Sequence, residues 1–184
     1  MQLLPLERKK MMNSLKQALR TIPDFPKPGI QFQDISPLLQ DPTYFNNTIQ
    51  ALHIHHQNDA IDLIAGIESR GFIFGSALAY ALGCGTVLIR KPNKLPGTVY
   101  QQSYDLEYGT DALEIQTDAF QPQQRVLLID DVLATGGTVS AAQLLIESYF
   151  DIQLVGATFL LEIMPLKGRH RLTDLPIHSL IQIP

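Results

Sequence analysis

From Ala60 onward, short aliphatic runs alternate with amphipathic stretches. "AIDLIAG" (60–66), "TVLIRK" (86–91), "VLLID" (126–130), "LVGATFLLEI" (154–163) and "HSLIQI" (178–183) each read as a strand. These runs are continuously apolar rather than alternating, the pattern of strands covered on both faces. Two helical stretches separate them. One is the Ala-rich segment after "IESRG"; the other runs from Gly137 to Tyr149, where Val139, Ala142, Leu145 and Ile146 form one stripe. "ALEIQT" (112–117) alternates instead, as an antiparallel or edge strand does. Strand, loop and helix in this rhythm predict an α/β domain with a mostly parallel central sheet flanked by helices.

The first ~20 residues predict a helical arm with Leu15, Ala18 and Leu19 on one side. "IPDFPKPGI" follows, and its three prolines exclude helix and central strand. A second helix begins at Pro42 with Asp41 as its N-cap, and Phe45, Ile49 and Leu52 mark its core face. Residues 71–89 are uncharged over about the length of a membrane helix. Gly83 and Gly85 break them into an Ala-rich helix and the short strand "TVLI", so a span is not expected. The N-terminus is too charged for a secretory leader, and Met11 and Met12 are alternative starts.

Composition narrows the partners. A net charge of −4 gives no general attraction to nucleic acid or anionic lipid. One cysteine, Cys84, cannot form an internal disulfide, which fits a reducing cytoplasm. At 184 residues the chain is most simply one domain.

Ligands of parallel α/β sheets gather at the carboxyl ends of the strands. Three polar clusters fall there: Glu68–Gly71, Arg90–Lys94 and Asp130–Thr138. In "DDVLATGGT" the glycines admit backbone N–H groups to an anion, Thr135 and Thr138 add hydroxyls, and the helix start adds its positive end. The spacing matches neither a nucleotide-triphosphate loop nor a dinucleotide loop. Carboxylates beside an anion loop suit a ligand with vicinal hydroxyls or a bridging divalent metal, and a ribose phosphate meets both conditions. The loop's bland alternative is a strand-ending turn with a helix cap, which its residues favour less than an anion site. "RKPNK" taken alone reads as a solvated basic turn, and the other two clusters on the same edge turn it toward an anion site.

"VLLIDDVLATGGT" (126–138) resembles the signature of the type I phosphoribosyltransferases, which bind phosphoribosyl pyrophosphate (PRPP). "DFPKPGIQFQDISPLLQDP", "GIESRGFIFG", "LIRKPNKLPG" and "YDLEYGTDALEIQTDA" resemble one branch of that family, the adenine phosphoribosyltransferases, in order from about Asp24 to Gly168. The resemblance implies the Rossmann-like type I phosphoribosyltransferase fold with a small N-terminal hood. In this reading 1–184 is one domain, 1–35 the arm and base-side hood, and 60–163 the catalytic core. It implies transfer of the phosphoribosyl group of PRPP to adenine, giving AMP and pyrophosphate in purine salvage, with Mg²⁺, by a cytoplasmic homodimer.

The site roles follow from the same resemblance. Asp130 and Asp131 take the ribose hydroxyls directly or through Mg²⁺, and Ala134, Thr135, Gly136, Gly137 and Thr138 wrap the 5-phosphate. Glu68, Ser69 and Arg70 meet pyrophosphate, which Arg90, Lys91 and Lys94 neutralise. Residues 94–109 form a lid carrying Glu107 as the catalytic acid/base and Tyr108 as its aromatic neighbour. Phe32 packs on the purine, Gln31 reads its amino edge, and Ile163 adds an apolar wall. Gln33 departs from the family, where arginine is frequent.

Two alternatives stay open. Another purine base is one, although Val132 and Leu133 after the acid pair, and the lack of lysine in "VGATFLLEIMP", argue against a 6-oxopurine. A non-enzymatic PRPP sensor is the other, against which stand the acidic net charge and the lid with Glu107. "HIHH" (53–56) has no histidines four apart and predicts no metal site, and "LKGRHR" (166–171) reads as a solvated basic helix or turn.

Overall fold

Each aliphatic run predicted as a strand from Ala60 onward is a strand, and those five form one sheet. The computed structural model describes residues 5–105, 110–172 and 174–184. The chain divides into two compact units between His55 and His56.

The first unit opens with helix α1 (Pro5–Gln17), in which Leu15 is buried, with Ala18 just beyond it. Strands β1 (Arg20–Pro23) and β2 (Gln31–Asp34) pair antiparallel from Arg20↔Asp34 to Pro23↔Gln31. The proline-rich segment is thus the turn of a two-stranded ribbon, where missing N–H groups cost no central ladder bond. Its turn is closed by Gly29 N–H donating to Asp24 Oδ1 at 2.7 Å. A short helix α2 (Ser36–Gln40), which periodicity is too brief to announce, precedes α3 (Pro42–His56). Asp41 caps α3 as predicted, accepting from Thr43 N–H at 2.8 Å and Tyr44 N–H at 3.1 Å. The buried stripe of α3 is rotated from the predicted one. Thr48, Ala51 and Leu52 are buried while Phe45 and Ile49 are half-buried. Thr48 is tolerated there because its hydroxyl donates to Tyr44 O at 2.9 Å.

In the second unit, β3 (Leu63–Ile67) leads to α4 (Gly71–Leu82) and β4 (Gly85–Ile89). β5 (Val99–Asp105) and β6 (Thr110–Gln116) follow, then β7 (Arg125–Leu133), α5 (Gly137–Tyr149), β8 (Gln153–Ile163) and β9 (Ile177–Ile183). The sheet order is β4-β3-β7-β8-β9, and every neighbouring pair is parallel. Alternate residues of the central strands serve opposite faces. Ala65, Ile67, Val126 and Leu128 share a core with Val139, Ala142, Leu145 and Ile146 of α5. Ile64 and Ile129 meet α4 at Gly75 on the other face. Among the described residues no helix is long and apolar enough to cross a membrane.

The segment expected as a lid is partly regular. β5 pairs antiparallel with β6 from Val99↔Gln116 to Asp105↔Thr110. Its base is fastened by Tyr100, which stacks on Tyr149 at 4.1 Å and meets Phe150 edge-on at 5.5 Å.

This packing predicts a contrast within the second unit. Phe159, 1 % exposed on β8, should cost about 3–5 kcal/mol on truncation to Ala. Leu144→Ala, on the exposed side of α5, should stay within about 0.5 kcal/mol of the parent. Urea unfolding checks both, and equal losses would mean the core is placed wrongly.

Candidate active site

Because β3, β4, β7 and β8 are parallel, the loops leaving them open on one edge. The loop after β3 holds Glu68, Ser69 and Arg70, and its Glu68–Ser69 peptide is cis. Arg70 directs Nε to within 2.7 Å of Asp131 Oδ2, joining this loop to β7. Gly71 then starts α4 hard against β7. A Cβ there would lie 2.8 Å from Ile129 O and 3.0 Å from Asp130 Oδ1, so no larger residue fits.

The strand bearing the acid pair is longer than its aliphatic run. β7 continues past Asp130 and Asp131, with Val132 and Leu133 paired to Leu161 and Glu162. Both carboxylates are therefore held by the sheet ladder rather than by a loop. Asp131 is buried, and its N–H donates to Asp130 Oδ1 at 2.8 Å. Surrounding protein and the Asp131 charge push the Asp130 carboxyl well above the usual carboxylate range. Burial also raises Asp131, with the Arg70 guanidinium opposing the rise. A second positive charge would suit this pair, and its all-oxygen donor set fits Mg²⁺. The protein would then supply few ligands, leaving water and ligand oxygens to complete the shell.

The basic cluster after β4 is locked into ion pairs. Glu68 accepts from Lys91 N–H at 2.9 Å and Arg90 Nε at 3.3 Å, and is also paired with the Lys94 ammonium. Arg90 Nη1 donates to Lys94 O at 2.9 Å. Burial works to raise the Glu68 carboxyl, but bonds from Lys94, Lys91 and Arg90 outweigh it and hold it below its ordinary 4.5. Lys91 is paired with Asp111 and donates to Tyr104 Oη at 2.7 Å. Burial disfavours both charges of that pair, yet their mutual bonds prevail, raising Lys91 and lowering Asp111.

The loop after β7 turns at Gly136, whose φ of +81° lies in the left-handed region. Gly136 is also the N-cap of α5 and no side chain caps that helix start. The first-turn N–H groups and the positive helix end are thus presented at this loop. Thr135 is exposed, Ala134, Gly137 and Thr138 are half-buried, and the Thr138 hydroxyl lies 3.5 Å from Tyr104 Oη.

The structure therefore brings Glu68, Ser69, Arg70, Arg90, Lys91, Lys94, Asp130, Asp131 and 134–138 to one edge. Ile163, half-buried, ends β8 on that edge. Gln31 and Phe32 lie on β2 of the first unit, with the Phe32 ring edge-on to Phe25 at 5.1 Å. Gln33 Nε2 donates to Thr21 Oγ1 across the ribbon at 3.2 Å. Glu107 and Tyr108 lie outside the described residues.

Sequence reasoning missed Tyr104 and Asp111, which grip Lys91 from the hairpin; alternation along "SYD" and "TDALEI" was the available signal. "LKGRHR" is solvent-facing as expected at Leu166, Lys167, His170 and Arg171, but Gly168 is buried and the half-buried Arg169 is bound by the buried carboxylate of Glu162. The histidine run carries a further surprise: buried His56 sits 2.8 Å from Asp59 through Nδ1 and meets His178 of β9 edge-on at 5.7 Å.

Comparison with known proteins agrees with this geometry. The phosphoribosyl transferase domain family model matches residues 38–157. The adenine phosphoribosyltransferase of Chloroflexus aurantiacus is 55 % identical over 168 residues, covering 91 % of this chain and 96 % of that protein. The crystal structure of adenine phosphoribosyltransferase from Thermoanaerobacter pseudethanolicus superposes with a TM-score of 0.90 at 47 % identity, covering 94 % and 99 % of the two chains. That from Saccharomyces cerevisiae, complexed with an imino-altritol bisphosphate and adenine, gives 0.89 at 40 % identity over 94 % and 99 %.

The Glu68 network predicts a pH signature. Its folded pKa is depressed, so its stabilisation is complete above 4.5 and lost as pH falls through the lower folded value. Glu68→Gln should cost about 2 kcal/mol at neutral pH. In thermal melts the gap to the parent should close as pH drops below 4.5. A gap independent of pH would show that Glu68 carries no such charge-dependent role.

Proposed function

The chain belongs to the adenine phosphoribosyltransferase family, and from that premise we propose that it transfers the phosphoribosyl group of PRPP to adenine, releasing AMP and pyrophosphate in purine salvage. The observation that carries this reading is the meeting, on one sheet edge, of an acid pair, a helix start that no side chain caps and a cationic cluster.

Each part answers one part of PRPP. The N–H groups and hydroxyls of 134–138 receive the 5-phosphate, and Asp130 and Asp131 accept hydrogen bonds from the ribose hydroxyls. Arg90, Lys91 and Lys94 exchange the carboxylates of Glu68 and Asp111 for pyrophosphate oxygens, with Ser69 and Arg70 at the same end. Mg²⁺, bound with PRPP near Asp130 and Asp131, would add positive charge against the departing pyrophosphate. The family resemblance assigns the adenine contacts to Gln31, Phe32 and Ile163. The N9 of adenine bonds to the anomeric carbon as the carbon–oxygen bond to pyrophosphate breaks, the electron pair leaving with pyrophosphate. The purine gives up a proton, and Glu107 accepts it or offsets the positive charge, with Tyr108 helping to exclude water. The protein acts as a homodimer in the cytoplasm, a reading supported by the family resemblance and by its lone cysteine.

Purified protein should form AMP from adenine and PRPP only with Mg²⁺. Turnover of hypoxanthine or guanine in place of adenine would overturn the base assignment, and PRPP binding with no purine turnover would indicate a sensor. Glu107→Gln should lower kcat by about a hundredfold or more while PRPP affinity stays within about threefold. Matching losses in both would reduce Glu107 to a structural part of the lid.

A further inference from the structure

Two glycines meet back to back behind the anion loop. A Cβ on Gly136 would lie 2.4 Å from Gly168 O, and one on Gly168 would lie 2.3 Å from Ala134 O and 2.9 Å from Leu133 Cδ1. Residues 134–136 therefore rest on the backbone at 168, and the position of one sets the position of the other. Gly168 belongs to an irregular link between β8 and β9, made of short 3-10 turns at Met164–Leu166 and Gly168–Arg171. Between them Lys167 holds a φ of +53°, unfavourable for a side-chain-bearing residue. Nothing in such local geometry would keep the link pressed against the loop.

Arg169 supplies the hold. Its Nε and Nη2 each donate to one oxygen of Glu162 at 2.7 Å, Nη1 donates to Ile177 O at 3.0 Å, and Nη2 also reaches Ser179 Oγ at 3.3 Å. Glu162 is 2 % exposed on β8, and Ile177 and Ser179 belong to β9. One guanidinium thus ties the residue next to Gly168 to two strands of the sheet, in a fork geometry that lysine cannot reproduce. Downstream, Leu172 joins the core and anchors the far end of the link.

We propose that Arg169 is a positioning residue for the 5-phosphate of PRPP: clamped on Glu162, it fixes Gly168 under Gly136 and so keeps the 134–138 backbone in its anion-receiving shape. It touches no substrate itself. The proposal rests on the reading of 134–138 as the 5-phosphate loop.

The test compares Arg169→Lys with the parent, and Glu162→Gln serves as a milder second variant that keeps the side-chain shape. Both should weaken PRPP, raising its KM about ten- to a hundredfold, while kcat and the KM for adenine change little. Ribose 5-phosphate, titrated by calorimetry, should lose affinity to the same extent, and inorganic pyrophosphate should not. Lower melting temperature with unchanged KM for PRPP and unchanged ribose 5-phosphate affinity would overturn the proposal, leaving the clamp a stabilising ion pair. Equal weakening toward pyrophosphate would overturn it as well, because the effect would then not be local to the phosphate loop. If the parent protein bound ribose 5-phosphate but transferred nothing to adenine, the enzymatic reading would fail and the ribose 5-phosphate comparison would still decide this one.

Discussion

Two adjacent carboxylates placed in the middle of a buried strand repel each other and lose their water. Asp130 and Asp131 persist there because Arg70, from a different loop, reaches Asp131, and because the Asp131 N–H turns toward Asp130. Much else follows from that arrangement. Arg70 can reach only if α4 begins almost in contact with β7, which requires glycine at 71. The sheet in turn must run parallel, so that β3 and β7 finish together. Even so, the offset is incomplete, since both carboxyls sit above their ordinary range. A site in that state favours ligands that donate hydrogen bonds to the pair or bring a cation with them.

The cationic side of the edge has the opposite character. Arg90, Lys91 and Lys94 are already satisfied by Glu68 and Asp111, so their charge is stored in ion pairs. Under the proposed function, a polyanion entering there would replace one set of carboxylate contacts with another set of oxygens. The ion pairs hold the cations in place beforehand, and such an exchange would displace Glu68 and Asp111. It would also couple the hairpin to the ligand, since Asp111 and Tyr104 both belong to it.

The loop after β7 owes its shape to residues outside it. Gly136 presents the helix start, but its backbone lies against Gly168, more than thirty residues away in sequence. Gly168 in turn is tied down through Arg169 to Glu162, a buried acid that would be hard to justify otherwise.

Periodicity alone was enough for the strands from Ala60 onward, for α4 and α5, and for the Asp41 cap of α3, because each is dictated by local hydrophobic pattern or local hydrogen bonding. It was enough, too, for the three clusters, since parallel strands send their loops to one edge. It failed where long-range contacts decide. β7 outruns its aliphatic stretch because Val132 and Leu133 find partners on β8. Half of the expected lid is strand because β6 offers a ladder and Tyr149 a stacking face. The buried stripe of α3 turns toward Thr48 because Tyr44 O satisfies its hydroxyl. "LKGRHR" reads as solvent-facing because nothing in six residues reveals a buried glutamate waiting for its arginine. Local pattern was therefore enough to name the three polar clusters and the edge where they gather. Which charges pair, which glycines touch, and that Tyr104 and Asp111 join them came from the folded chain, since those contacts join segments far apart in sequence and leave no periodic trace.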